Sequence, residues 1–575
     1  MYSYRMLRTL PLAALFCIAA CENPPADPPP AAAPPTFVDD IAPILHANCA
    51  PCHRPGEVAP FPLLSYNDAE THAEQIADVT AARFMPPWMP EPGHGAFKHE
   101  RRLTQEQIDL LAAWAKAGAP QGDPTRTPEP PQWTAGWQLG QPDLIAEMPV
   151  AYTLPADGTD VFRNFVVPVD TRARRYIRAV ELRPGNNRIV HHAVIMVDAT
   201  GAARTHEARD PEPGFAGMTF GEAQDPDGHF LGWTPGKRPH EGDDGLAWRL
   251  EPGTDLILQF HMLPTGKPET LQAKVGLYFA DGPPTRVPAM LRLGRKDINI
   301  PAGEAHYPIR DTYTLPVDVE VLTIYPHAHY LGKEMSVFAT LPDGGREWLI
   351  RIPAWDFFWQ DDYRYAEPLF LPAGSVIEMQ YVYDNSAANP LNPFSPPRRI
   401  RYGLRSEDEM GDLTLQVLPK NPSDLQALRR DMAKKWVLQE IDGYRALLAA
   451  TPEHADYHHT LAGLYRRLGR LDEALRHFEK ALEIDPDFAE ARINFGITLA
   501  AQGRADEALG HFRRAVEARP DYADAHFNLG AALYMVGDKA GGFKHLREAS
   551  RLRPEMTKAI AKRIAQLEKA GGKDK

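Results

Sequence analysis

The chain has 575 residues, a net charge of −13 and four cysteines, all within the first 52 positions. That length accommodates roughly four domains, and the acidic balance excludes the basic surface a nucleic-acid partner requires. Its 56 prolines point to many loops and linkers rather than one continuous core.

Arg5 and Arg8 precede the apolar run LPLAALFCIAA. This run is short for a membrane span and has the makeup of a secretory signal. It ends Ile18-Ala19-Ala20-Cys21, which resembles a bacterial lipoprotein signal, in which the cysteine is lipidated and becomes the mature N-terminus. We expect residues 1–21 to be the signal and Cys21 the lipid anchor, so that the chain is exported and held by lipid in the bacterial cell envelope, on the periplasmic side. An ordinary cleaved signal is the alternative, and export is common to both. Residues 22–36, ENPPADPPPAAAPPT, contain seven prolines and four alanines and predict an extended tether of about 45 Å.

Residues 37–124 read as helical and carry Cys49-Ala-Pro-Cys52-His53. Two thiols three apart can form thioethers to the vinyl groups of one haem, with the next histidine as axial ligand. A redox dithiol and a zinc site are the alternatives. Met85 is the expected second axial ligand, with Met89 in the same Pro-rich loop as its rival. In LTQEQIDLLAAWAKAGAP, Thr104 and Gln107 predict a capping box, and Ile108, Leu111, Ala112 and Ala115 an apolar stripe. The pieces DIAPIL, CHRPGE, MPPW and WAKAGAP resemble small bacterial cytochrome c domains.

From about 132 to 420 the sequence changes to short Val, Ile, Tyr and Phe runs between Pro and Gly turns. Two antiparallel β-sandwiches are expected, over 132–300 and 301–420, joined near Ile300. Three histidine groups stand out. His327 and His329 are two apart on a strand, so both rings lie on one face about 6.6 Å apart, a metal-ligand spacing or simply a polar surface. His191 and His192 are adjacent and reach one ion only where the strand ends or bulges. His261 closes LILQFH.

The ordered pieces HHAVIMV (191–197), FLGWTPG (230–236), LILQFH (256–261), PHAHYLGK (326–333) and SEDEMGDL (406–413) resemble the copper type II, ascorbate-dependent monooxygenases, the peptidylglycine and dopamine hydroxylating family. The resemblance implies two jelly-roll-like sandwiches and two copper ions. His191, His192 and His261 would hold an electron-transfer copper, and His327, His329 and Met410 the copper at which O2 is activated. A thioether suits Cu(I). Where the peptide-amidating enzyme grips a substrate carboxylate, this chain has Tyr325, Asp412 and Thr414, which disfavours an anionic substrate. The stretch WDFFWQDDYRY (355–365) reads first as a packed strand, and second as a surface for a cationic or aromatic molecule.

Beyond 423 a period of 34 relates Gly469, Gly503 and Gly537, and Pro486, Pro520 and Pro554, the tetratricopeptide pattern. Repeats with a capping helix are expected over 423–570, with a protein partner in their groove. The chain as a whole is expected to be multidomain: an α cytochrome c domain, two β-sandwiches and an all-α solenoid. The expected function is copper-dependent hydroxylation of a small organic substrate, fed by an electron donor through covalent haem c. The alternative is a non-catalytic copper or electron carrier with a scaffold role.

Overall fold

The computed structural model describes residues 33–565 apart from 134, 135, 219, 244, 559 and 563. The expected signal, Cys21, most of the tether and the end of the expected capping helix lie outside the described residues. Among the described residues no helix is long and apolar enough to cross a membrane.

The N-terminal unit is helical. Helices Ala42–Asn48, Tyr66–Thr71, Ala73–Ala81 and Gln105–Lys116 pack around Phe37, Ile41, Leu45, Leu111 and Trp114. Capping boxes start two of them, Ser65 with Asp68 and Thr104 with Gln107. The unit closes on itself where Phe37 N–H and Trp114 Nε1–H both donate to Pro120 O (2.9 and 3.0 Å). Between helices Ala73–Ala81 and Gln105–Lys116 a strap over residues 84–101 reaches out of the unit. Phe97 of that strap bridges to Tyr365 and joins the core of a β-unit more than two hundred residues away.

The centre of the chain is β-rich and its sheets are antiparallel. In the first β-unit the strands Val161–Pro168, Val190–Asp198 and Asp255–Met262 form the middle of a five-stranded sheet. Phe165, Leu258 and Phe260 of that sheet pack against Ile177, Trp248 and Leu277 of a four-stranded one. In the second unit the four strands Ala289–Gly294, Gly411–Pro419, Val319–Ala328 and Tyr363–Leu371 lie in that order and share a core with Tyr307–Thr314, Val376–Tyr383, Gly332–Thr340 and Arg346–Ile352.

The expected junction near Ile300 is corrected. Ala289–Gly294 pairs along its length with Gly411–Pro419, so the chain enters the second β-unit before residue 289. Alternation marks a strand but does not say which strand it pairs with.

The C-terminal region is helical. The helix Pro422–Ala450 anchors it: Leu428 enters the second β-unit's core, and Lys435 Nζ meets Asp311 at 2.8 Å. Three helix pairs follow, 455–467 with 471–484, 489–501 with 505–518, and 523–535 with 539–552. Gly469, Gly503 and Gly537 turn each pair with φ of 74°, 79° and 97°, a conformation that costs glycine no steric penalty. Phe478, Phe512 and Leu546 fill the interior at the same repeat position.

Candidate metal centres

His191 and His192 share a site because the strand is irregular there. Val190 pairs with Met262 and His192 with His261, so His191 is the extra residue of a bulge, and a bulge re-aims a side chain that would otherwise face away. His191 Nδ1 lies 3.1 Å from both His192 Nδ1 and His261 Nδ1, and ligand atoms of all three fall within 4.8 Å of one another. The rings cross at 61° to 72° with centroids 4.8–5.2 Å apart. His261 Nε2 donates to Asp160 Oδ2 at 2.8 Å, which leaves its Nδ1 as a lone pair. Burial pushes His191 down to about 3 and His192 well below the ordinary range. Three imidazoles whose Nδ1 atoms crowd together cannot all be satisfied by one another, and nitrogens about 3 Å apart suit an ion with bonds of about 2 Å.

His327 and His329 sit at the end of Val319–Ala328. Ile324 and Ala328 turn into the core, while Tyr325 and His327 turn out beside Thr414 and Asp412 of the neighbouring strand. His327 Nδ1 is held by Gln360 Oε1, and His329 Nδ1 lies 3.2 Å from Asp408 O. Both Nε2 atoms are thereby left as lone pairs, on rings 5.2 Å apart at 85°. Burial pushes His327 to about 4 and His329 to about 3.

Met410 precedes Gly411, which pairs with Ala328, so register places it beside His329. Glu409 fixes that rung. Its Oε1 accepts from His329 N–H (2.6 Å) and Met410 N–H (2.8 Å), and its Oε2 from Leu331 N–H (2.9 Å). Burial pushes the Glu409 carboxyl up to about 8 despite these three donors.

Phe357 lies between the two histidine groups. Its buried ring stacks on His191 (4.8 Å, 19°) and meets His261 and His329 edge-on, each at 6.1 Å. It belongs to a short turn, Phe357–Trp359, so the stretch expected as a packed strand becomes one only from Tyr363. Asp160, Gln360, Phe357 and Glu409 were not singled out from the sequence. Glu409 lies in SEDEMGDL and Phe357 and Gln360 in WDFFWQDDYRY, whereas Asp160 has no local signal.

Cys49 and Cys52 are free thiols at the end of helix Ala42–Asn48. Burial pushes Cys49 up to about 12 and raises Cys52, which disfavours a reactive thiolate pair. His53 Nδ1 is 3.0 Å from Phe61 O, leaving Nε2 as the lone pair an axial ligand needs. Cys52 also borders a cavity of about 950 Å³. A Cβ on Gly236 of the first β-unit would come within 2.7 Å of its sulfur. These features fit a covalent haem. Met85 is half-buried after helix Ala73–Ala81, whereas Met89 Sδ accepts Asp356 N–H (3.2 Å) on the second β-unit.

Family models for the tetratricopeptide repeat match residues 455–488 and 477–510, and a further TPR repeat model matches 496–537. The C-terminal array consists of tetratricopeptide repeats. Similar solved structures include YrrB, described as a TPR protein with an unusual peptide-binding site, at 27% identity over 23% of this chain and 68% of that one (TM-score 0.21). MamA is similar at 20% identity over 26% and 85% (TM-score 0.22). No curated protein matches the chain.

Proposed function

We propose that the chain is a copper-dependent monooxygenase that hydroxylates a C–H bond of a small organic substrate with O2. Its electrons would come from an external donor through haem c at Cys49, Cys52 and His53. The observation that carries this proposal is the meeting of His191 Nδ1 with His192 Nδ1 and His261 Nδ1, three atoms contributed by two strands and a bulge. Copper held there and at His327, His329 and Met410 would supply one-electron transfer and dioxygen chemistry.

The rest is the work of the chain's own groups. Asp160 fixes the tautomer and ring of His261, and Gln360 and the Asp408 carbonyl do the same for His327 and His329, as second partners of metal-bound histidines do. Phe357 keeps water from the space beside His191 and His329. Tyr325, Asp412 and Thr414 share the outward face with His327. Arg292, opposite Thr414 on that face, is paired with Asp225, so the acid Asp412 leaves the face favouring a neutral or cationic substrate. The repeats would hold a protein partner in their concave groove, and lipid at Cys21 would keep the assembly at the envelope membrane.

One observation favours a second function. With its ring against both histidine groups, Phe357 closes the interval a substrate would enter, which suits a copper or electron carrier without turnover. Metal analysis with oxygen uptake against a panel of small organic molecules separates the two, run on wild type, His327→Ala and Met410→Ala. Two coppers per chain and substrate-stimulated uptake, both reduced in the variants, support the enzyme. Tight copper without uptake supports the carrier, and no copper overturns both.

A further inference from the structure

Three buried polar atoms without a hydrogen-bond partner belong to side chains that line one cavity: Trp88 Nε1, Arg101 Nε and His240 Nε2. The cavity, about 950 Å³, lies where the helical unit, through Cys52 and Arg101, meets the first β-unit, through His240, and the second, through Asp361. Trp88 Nε1 and Arg101 Nε can only donate, and such orphaned donors are uncommon in proteins and ask for an acceptor.

The charges in the wall point to the kind of acceptor. Each nearby carboxylate already has its cation: Glu57 has Arg54, Asp243 has Arg364, Asp361 has Arg101, and Asp362 has Lys237. Glu100 and Glu181 are likewise paired, with Arg102 and Arg183. His240 Nε2 stands 3.3 Å from Asp243 Oδ1 but out of line for a hydrogen bond. Lys98, Arg178 and Arg238 line the same space, and among the described residues no carboxylate lies within ion-pair distance of them. The wall thus carries surplus positive charge. Trp133 and Trp233 add flat apolar surface, with Arg54 lying over the Trp133 ring at 4.8 Å.

We infer that this junction cavity binds the carboxylate of a planar molecule, met by Trp88, Arg101 and Arg238 and flanked by the tryptophans. Two sources share that chemistry. One is a propionate of the haem proposed at Cys52, an inference that rests on the haem assignment, and the other is a free aromatic carboxylate.

The test uses the full-length holoprotein with Arg238→Gln, an exposed position whose loss leaves the fold intact, and Trp88→Phe, which removes a donor without changing charge. The haem midpoint potential and calorimetric titration with benzoate are measured on each, and a pyridine haemochrome assay reports attached haem separately. If the carboxylate is a propionate, benzoate does not bind, and each variant shifts the one-electron equilibrium toward the oxidised form. The shift is about tenfold in Arg238→Gln, or 59 mV, and smaller but present in Trp88→Phe, where no change of field can account for it. If the ligand is free, benzoate binds wild type saturably and at least about tenfold more weakly in both variants, the loss expected when a charge-assisted bond worth about 1.5–3 kcal/mol is removed, and the potential of Trp88→Phe stays put. If benzoate does not bind and the potential of Trp88→Phe equals that of wild type, the inference is overturned, whatever the field effect of Arg238→Gln. Where the haemochrome assay finds no haem, the haem assignment fails and benzoate binding alone decides the carboxylate site.

Discussion

Asp160 takes the Nε2–H of His261 at 2.8 Å although 101 residues separate them in the chain. The same oxygen accepts from Ser406 Oγ of the second β-unit, 246 residues away. Burial raises the Asp160 carboxyl, but the bonds from His261 and Ser406 outweigh it and hold the group below its usual range. One carboxylate therefore sets the tautomer of a candidate copper ligand and ties it to the segment that carries Met410.

Asp160→Asn is expected to weaken copper at the His191, His192 and His261 centre by about 10–100-fold, the usual loss when such a partner is removed. The centre at His327 and His329 should change less. Chelator competition with copper counted at both centres checks this, and unchanged affinity at the first centre would show that the bond to His261 is incidental.

Glu409→Gln tests the second centre. The amide keeps one acceptor for the N–H groups of His329 and Met410 but turns a donor toward Leu331 N–H. A buried donor left facing a donor costs about 1–3 kcal/mol. Chemical denaturation at pH 9, where Glu409 is ionised and both its oxygens accept, should show a loss of that size, and copper should fall at His327 and His329 before it falls at His191 and His192. Equal loss at both centres would assign Glu409 to general stability alone.

What was legible in the sequence was what is local. Spacing two apart for His327 and His329, the run Cys49 to His53, and the period of 34 with its glycines all operate within one element or one repeat. The bulge that turns His191 toward His192 and His261 leaves no trace in periodicity, because it appears only once Val190 and His192 are registered against Met262 and His261. Asp160 sits in a Gly- and Asp-rich loop like many others, and its partners lie far off in sequence. The pairing of Ala289–Gly294 with Gly411–Pro419 is equally non-local, which is why alternation alone puts the boundary between the β-units too late.

Phe357→Ala should open the interval between the histidine groups at a stability cost of about 3–5 kcal/mol, the range for deleting a fully buried phenylalanine. Phe357→Leu should cost less and open it partly. With copper(II) loaded, azide should perturb the electron paramagnetic resonance spectrum of Phe357→Ala at lower concentration than that of wild type. Identical azide titrations would mean that the ring does not control access.

The repeats carry a pH response of their own. His458 and His477, on the two helices of the first pair, have Nδ1 atoms 2.9 Å apart, and His526 and His545 repeat this at 2.9 Å in the third. His458 Nε2 lies 3.0 Å from Pro452 O and His526 Nε2 2.9 Å from Pro520 O, so each pair shares one proton between its Nδ1 atoms. In the middle pair Arg492 Nε takes over the bond to Pro486 O at 2.9 Å. Burial, then the neighbouring His458, Arg476 and Arg445 push His477 down to about 4, with Glu473 opposing; burial and His526 lower His545. The unfolded chain titrates near 6.5, so between about 6.5 and 4 it binds more protons than the folded one, and stability falls as pH drops through that window. Thermal melting followed by helical circular dichroism should therefore give a lower midpoint at pH 5 than at pH 7, with a smaller difference in the His477→Gln, His545→Gln double variant. Equal differences in the two proteins would place the acid sensitivity elsewhere in the chain.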